Sequence, residues 1–191
     1  MAHEDMIYGI MESLVIADKH IVGSIMAAKG IWTEGTSASN NADKVLKVLC
    51  DYNRLEKVDG YYRLIGCKST FAEHSKLLTI HLADILKLNL STKIFREKTL
   101  NEIGLRPDAL VLLIKDNQKL CFILEVCNNE FPEFLQQKVN AWRHWENSLR
   151  VLSELFGTKI HVFDIIVAGD ISAEGTFEFN QFLKDIKEVK K

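Results

Sequence analysis

Two acidic residues lie where a folded chain rarely places charge. Asp108 begins one apolar run, and Glu125 lies inside another, residues 121–127. A carboxylate buried in such a run is costly unless it has a partner. If the two runs form a hairpin whose turn is centred on Asp116-Asn117, Asp108 and Glu125 lie directly opposite each other, with Cβ atoms about 4.5–5.5 Å apart.

This carboxylate pair predicts cation chemistry. Two like charges so close either change their protonation or hold a cation between them. A hard divalent ion such as Mg²⁺ suits carboxylate oxygens, and hydrolysis of phosphodiesters is a common use of such an ion. The expected proximity tolerates an error in register, because a turn one residue later pairs Asp108 with Cys127, on the face that Glu125 shares.

Lys138 is a candidate third member of this site. It falls in a predicted long helix, residues 132–156, whose apolar residues recur at helical spacing: Leu135, Trp142, Trp145, Leu149, Leu152 and Phe156. Lys138 occupies the empty position between 135 and 142, which directs it towards the sheet. There it could neutralise the carboxylates or stabilise charge on a phosphate. In the alternative interpretation Val139 fills the apolar stripe and Lys138 extends to solvent at the sheet edge.

The elements that would position these side chains form an α-β-β-β-α-β-α series over residues 69–191. A capping box, Thr70-Phe-Ala-Glu73, predicts the start of its first helix. The other segments are a strand at about 93–99, strands at 109–114 and 120–127, the long helix, a strand at 160–167 and a helix at 176–189. Glu97, on the first strand, is a weaker acidic candidate for the site.

Residues 1–68 have a different character. Helical spacing predicts helices at about 4–17, 19–29 and 42–53, with a loop at 33–41. Asp59-Gly60 between two short apolar runs predicts a β-hairpin. Three helices followed by a hairpin resemble a winged-helix domain, whose third helix enters the major groove of DNA while the wing contacts the backbone.

Basic residues of this helix and hairpin are the candidate DNA contacts: Lys44, Lys47, Arg54, Lys57 and Arg63. Residues 41–68 hold six Lys and Arg against four Asp and Glu, a local excess of two positive charges. The alternatives are that these are ordinary solvated charges, or that the module serves core packing or dimerisation.

The sequence from Arg106-Pro107-Asp108-Ala109 through the hairpin to Phe122-x-x-Glu125 resembles the core of the PD-(D/E)XK nuclease superfamily. With a winged helix in front, the chain is similar to the replication-relaxation family of plasmids and mobile elements. The resemblance implies that Asp108 and Glu125 bind Mg²⁺ or Mn²⁺, with the Val126 carbonyl as a third ligand. The superfamily's lysine is replaced by Cys127, and the counterpart that the narrower family implies is Lys138.

Composition sets the outer limits. The chain has 191 residues, 47% of them hydrophobic and 26% charged, with a net charge of −2. These values exclude a disordered polar chain, and no apolar run reaches the length of a membrane helix. The acidic N-terminus is unlike a signal peptide, and four cysteines without a Cys-x-x-Cys spacing indicate reduced thiols, so we expect a cytoplasmic protein. The net charge argues against tight, non-specific DNA binding.

The sequence therefore predicts an α/β (α+β) protein with a winged-helix domain at 1–68 and a nuclease-like domain at 69–191. The expected function is that of a plasmid or mobile-element DNA-binding protein that nicks or cleaves DNA with a divalent metal. The alternative is a non-catalytic regulator or replication accessory factor on an inactive nuclease-like scaffold. A third interpretation is a protein–protein module whose winged helix forms a homodimer.

Overall fold

The computed structural model describes residues 2–67, 73–127, 131–143 and 145–188. Over these residues the chain has a mixed α+β fold with seven helices and two β-sheets. It divides into two compact units, Met1–Asn89 and Leu90–Lys191.

The first unit combines helices with a three-stranded antiparallel sheet of order β1-β3-β2. Its elements are α1 (Ala2–Leu14), β1 (Ile16–Ala17), α2 (Lys19–Ala28), α3 (Thr36–Asp51), β2 (Leu55–Val58), β3 (Tyr61–Leu64) and α4 (Glu73–Leu86). Asp18 caps α2 by accepting hydrogen bonds from the amides of His20 and Ile21. Asp59 and Gly60 both have positive φ, as a two-residue type I′ turn requires, which confirms the predicted hairpin.

Helix α3 corrects the prediction of a loop at 33–41 and of a helix start near 42. The helix begins at Thr36, after Gly35, which has a φ of 100° and provides no side-chain cap. Although this segment is mostly polar, its small residues Ala38, Ser39 and Ala42 are buried. At Gly23 of α2, an added Cβ would lie 2.9 Å from the backbone of Ala38, so α2 and α3 cross too closely there for any larger residue.

Helix α4 belongs to the first unit, whereas the sequence placed it at the start of the second domain. It packs against α1 and α2, and the Thr79 hydroxyl donates a hydrogen bond to the Ile16 carbonyl at 3.2 Å. The observed division thus follows Asn89. The predicted boundary after residue 68 and Thr70 of the predicted capping box lie outside the described residues.

The second unit is built on a five-stranded sheet of order β4-β5-β6-β7-β8. Its elements are β4 (Ser91–Arg96), β5 (Ala109–Lys115), β6 (Gln118–Val126), α5 (Pro132–Trp142), α6 (Trp145–Phe156), β7 (Phe163–Ala168), β8 (Phe177–Glu178) and α7 (Phe179–Glu188). Strand β5 is antiparallel to both β4 and β6, while β7 is parallel to β6 and β8 is parallel to β7.

The β5–β6 hairpin has the predicted register. Lys115 pairs with Gln118 at the turn, and Ala109 pairs with Leu124 at the open end. Asp116 and Asn117 have φ values of 47° and 66°, so the turn is centred where the sequence placed it.

Both faces of this sheet are covered. On one face Leu110 and Ile123 pack in a core with Leu135 and Val139 of α5. On the other face Phe122 meets Phe182 of α7, with ring centroids 4.7 Å apart. Burial on both faces explains why the strands are almost continuous apolar runs.

The predicted single helix at 132–156 is wrong, because α5 and α6 are separate helices. The Trp142 carbonyl, near the end of α5, accepts a hydrogen bond from the Ser148 hydroxyl at 3.1 Å. The two helices cover different strands: Trp142 packs on Phe163 of β7, and Phe156 packs on Phe95 of β4. Because the chain breaks between α5 and α6, the apolar side chains of the two helices cover strands on opposite sides of the sheet centre, β7 and β4.

Candidate active site

Asp108 lies at the open end of the hairpin, immediately before β5. Its carbonyl accepts a hydrogen bond from the Glu97 amide at 2.8 Å, and its carboxylate Oδ2 accepts one from the Val126 amide at 2.7 Å. In the hairpin register Val126 would lie opposite Pro107, which has no N–H to donate to the Val126 carbonyl. The Asp108 carboxylate thus accepts the hydrogen bond of the Val126 amide just beyond the last ladder pair, Ala109 and Leu124.

Glu125 is the buried member of the pair. It lies on β6 beside Val167 of β7 and is only 1% exposed. The hairpin register, continued by one pair beyond Ala109 and Leu124, places Glu125 opposite Asp108. Alternation along β6 directs its side chain to the face that α5 covers, together with Ile123.

Lys138 of α5 reaches this carboxylate, with its Nζ 3.3 Å from Glu125 Oε2. The structure combines the two interpretations of the lysine. Val139 is fully buried and fills the apolar stripe, while the Lys138 side chain runs beside it and stays 37% exposed. The ammonium group therefore contacts both the buried carboxylate and solvent.

Two arginines that the sequence did not identify as site residues contact Glu97, next to Asp108. Continuing the β4–β5 register by one pair places Glu97 opposite Asp108. Its carboxylate lies 3.5 Å from Arg96 Nε and 3.6 Å from Arg106 Nη2. Glu97 is therefore paired with cations, and the 64% exposed Arg106 side chain brings positive charge near Asp108. The position of Arg106 directly before Pro107-Asp108 is the sequence signal that could have identified this arginine.

The donor set is a limited one for a metal ion. No group of three or more His, Cys, Asp or Glu side chains that could hold a metal occurs in the described part of the chain. Asp108 and Glu125 nevertheless provide the carboxylate oxygens that Mg²⁺ and Mn²⁺ prefer, and the Val126 carbonyl lies beside them in the same strand. Cys127, directly after β6, is a buried thiol.

The candidate DNA contacts of the first unit are largely compensated by local partners. On α3, Lys44 is exposed, whereas Lys47 forms an ion pair with Asp43 at 2.7 Å. Asp43 also accepts a hydrogen bond from the Tyr62 hydroxyl at 2.7 Å, and Lys57 lies 5.0 Å from the centre of the Tyr62 ring. The hydrogen bonds from Lys47 and Tyr62 lower the pKa of Asp43, while burial raises the pKa of Tyr62 above its usual value.

The other two candidates have partners of their own. Arg54 lies 3.6 Å from Asp5 and above the ring of Tyr8, and Arg63 forms an ion pair with Glu56 at 2.7 Å. Three of the five basic side chains are thus in ion pairs. The positive patch that the sequence suggested is correspondingly weaker; its exposed cations Lys44 and Lys57 form no ion pair with another residue of the described segments.

Comparisons with models of protein families, with curated proteins and with solved structures find no match to this chain. In the described segments, no helix combines the length and the apolar character needed to cross a membrane.

Proposed function

We propose that this protein binds DNA and that its second unit carries a nuclease-like site that nicks or cleaves DNA with Mg²⁺ or Mn²⁺. The observation that carries the proposal is the ion pair of Glu125 and Lys138, in a hairpin whose register places Asp108 opposite Glu125. Two carboxylates and one cation at the end of a sheet are the groups that metal-assisted phosphodiester hydrolysis uses.

The element order of the second unit supports this proposal. An antiparallel meander, β4-β5-β6, leads through α5 and α6 to β7, which is parallel to β6. This is the order expected for a PD-(D/E)XK-like core. The aspartate precedes the second strand and the glutamate lies on the third, as the resemblance implies. Lys138 would supply from α5 the positive charge that Cys127 cannot.

The first unit supports the DNA-binding part of the proposal. Three helices, a short strand and a β-hairpin follow in the order of a winged helix, with α3 as the helix that would enter the major groove. Lys44 and Lys47 are exposed on α3, and Lys57 is exposed on the hairpin. Since several of these charges have acidic neighbours, we expect binding that weakens with salt and is not tight at random sequences.

The oxygen atoms of the candidate site are of the kind that a hard divalent metal ion prefers as ligands. Asp108 and Glu125 would hold it together with the Val126 carbonyl. When bound, such an ion would activate water and stabilise charge on the phosphate. Lys138 would keep the buried Glu125 in its charged form and bring a second positive charge to the phosphate.

Cleavage of supercoiled plasmid DNA with Mg²⁺ or Mn²⁺ tests the catalytic part. We expect nicked or linear product with the wild type and none with Glu125→Ala or Asp108→Asn. Asp164→Asn is the matched control, because Asp164 is a partly buried carboxylate of the same sheet whose partner in register, Phe122, faces α7. A wild-type protein that leaves DNA intact with either metal overturns catalysis.

A non-catalytic DNA-binding protein is the second candidate, and one observation favours it. Glu125 is almost fully buried and already paired with Lys138, in a site where Cys127 replaces the usual lysine. This candidate predicts salt-sensitive DNA binding that Glu125→Ala leaves unchanged. Retardation of labelled DNA in gels should weaken with Lys44→Ala and Lys57→Ala, and Lys76→Ala on α4 serves as a control exposed lysine.

A further inference from the structure

Two exposed phenylalanines lie next to the candidate active site. Phe131 and Phe134, at the start of α5, are 67% and 58% exposed. Their ring centroids are 6.2 Å apart, with the planes inclined by 56°. The exposure of phenylalanine rings to water is unfavourable, and neighbouring exposed apolar side chains are typical of binding sites.

The rings are connected to the site through Lys138. Phe134 and Lys138 are separated by four residues, so their side chains are neighbours on one face of α5. Lys138 in turn lies 3.3 Å from Glu125. A molecule that contacts the Glu125 and Lys138 side chains is therefore within one helical turn of an exposed aromatic surface.

The size of the patch indicates its ligand. A phenylalanine side chain presents roughly 200 Å² in total, so the two rings expose roughly 250 Å². A stable protein partner needs about 800 Å² from each side. The patch is thus too small for a protein interface but suits the flat face of one or two nucleobases.

The chemistry of the surrounding surface agrees with a nucleic acid. Gln137 and Asn140 are neutral and exposed on α5, Glu133 is the exposed acidic residue of its first turn, and Lys138 provides a cation next to the rings. Stacking of unpaired bases on aromatic rings, combined with a cation for the backbone, is how proteins bind single-stranded nucleic acid. Bases within a duplex are stacked on each other and offer no free face.

We infer that Phe131 and Phe134 form a stacking platform for unpaired bases, so that the candidate site takes single-stranded or locally unpaired DNA as its substrate. This inference rests on the proposed function and specifies its substrate. The rings contact the bases, while Lys138 faces the neighbouring phosphate.

Fluorescence anisotropy with labelled dT20 and with a 20-base-pair duplex tests this inference. We expect Phe131→Ala/Phe134→Ala to weaken dT20 binding about 5- to 150-fold, and to leave duplex binding within about twofold. The salt dependence of dT20 binding should not change, because no charge is removed. Phe134→Trp should retain binding, and Phe177→Ala, which removes another exposed ring from the same unit, should have no effect.

The outcomes separate this inference from the proposed function. If the wild type binds neither dT20 nor duplex, both are overturned. If it binds DNA and the double alanine variant binds dT20 as tightly as the wild type, the platform is overturned while the proposed function stands. A wild-type dimer that the double variant converts to a monomer, with unchanged dT20 affinity, would assign the rings to a second copy of this chain and also overturn the platform. Thermal melting confirms that each variant is folded.

Discussion

Replacing Lys138 by methionine should destabilise the second unit, because the change removes the cation from a buried carboxylate. Glu125 is 1% exposed, and its Oε2 lies 3.3 Å from the lysine Nζ. At this distance the Coulomb energy is roughly 5 kcal/mol for an effective dielectric constant of about 20. Since the Lys138 side chain is 37% exposed, solvent screening reduces the net contribution. We expect a loss of about 2 kcal/mol in the free energy of unfolding.

Urea unfolding followed by tryptophan fluorescence measures this loss. Trp142, the last residue of α5, is 1% exposed in the core of the second unit and reports on its unfolding. With a urea dependence of about 2 kcal/mol per molar, a loss of about 2 kcal/mol lowers the midpoint by about 1 M. Lys184→Met on α7 is the matched control, because that lysine is exposed and should shift the midpoint by less than about 0.3 M.

A double-mutant cycle tests the reason for the effect as well as its size. Glu125→Gln keeps the shape of the side chain and removes its charge. The loss of stability in the double variant Glu125→Gln/Lys138→Met should therefore be smaller than the sum of the losses in the two single variants. We expect this difference, the coupling energy, to be about 1–2 kcal/mol. A coupling energy below about 0.5 kcal/mol would refute the ion pair as the source of the stability.

Three further predictions concern other parts of the chain. Tyr62→Phe removes the hydrogen bond to Asp43 and should lower the free energy of unfolding by about 1 kcal/mol. Because the pKa of Tyr62 is raised in the folded protein, the wild type should also lose stability as the pH rises above about 10. Urea midpoints of both proteins, measured over a series of pH values, check both expectations. Burial raises the pKa of Asp164, so its charge destabilises the fold at neutral pH; Asp164→Asn should raise the urea midpoint at pH 7, and this gain should vanish towards pH 3, where the carboxyl is neutral in both states. Gly169→Ala should lower stability by about 2–4 kcal/mol, because φ is 144° and an added Cβ would collide with the Cys127 carbonyl; a thermal melt matching the wild type would contradict this.

The site geometry could be predicted from the sequence where local chemistry fixes it. Asp116-Asn117 tolerates the positive φ of a type I′ turn, and a two-residue turn determines every pair along the hairpin. The opposition of Asp108 and Glu125 follows from that register. Helical periodicity left two interpretations of Lys138 open, and the structure combines them, because Val139 fills the apolar stripe while Lys138 reaches Glu125 and stays partly exposed.

The sequence was less informative where packing overrides composition. Residues 33–41 have the polar composition of a loop, yet α3 begins at Thr36 because Ala38 and Ala42 are buried against a neighbouring helix. The apolar stripe of residues 132–156 continues without interruption, so it gave no sign of the break between α5 and α6. Strands β1 and β8 have two residues each, too few for any periodic pattern.

The charged groups at the end of the hairpin are not explained by the stability of the fold. A buried ion pair such as Glu125 and Lys138 usually contributes no more stability than apolar side chains of the same volume. The next positions along the two strands on this face, Leu110 and Ile123, are apolar and fully buried. Asp108 is also held by the Val126 amide, in a place where an unbroken ladder would need no side chain at all. Charges that the fold does not need, but that it holds in fixed positions, are what a binding or catalytic site requires.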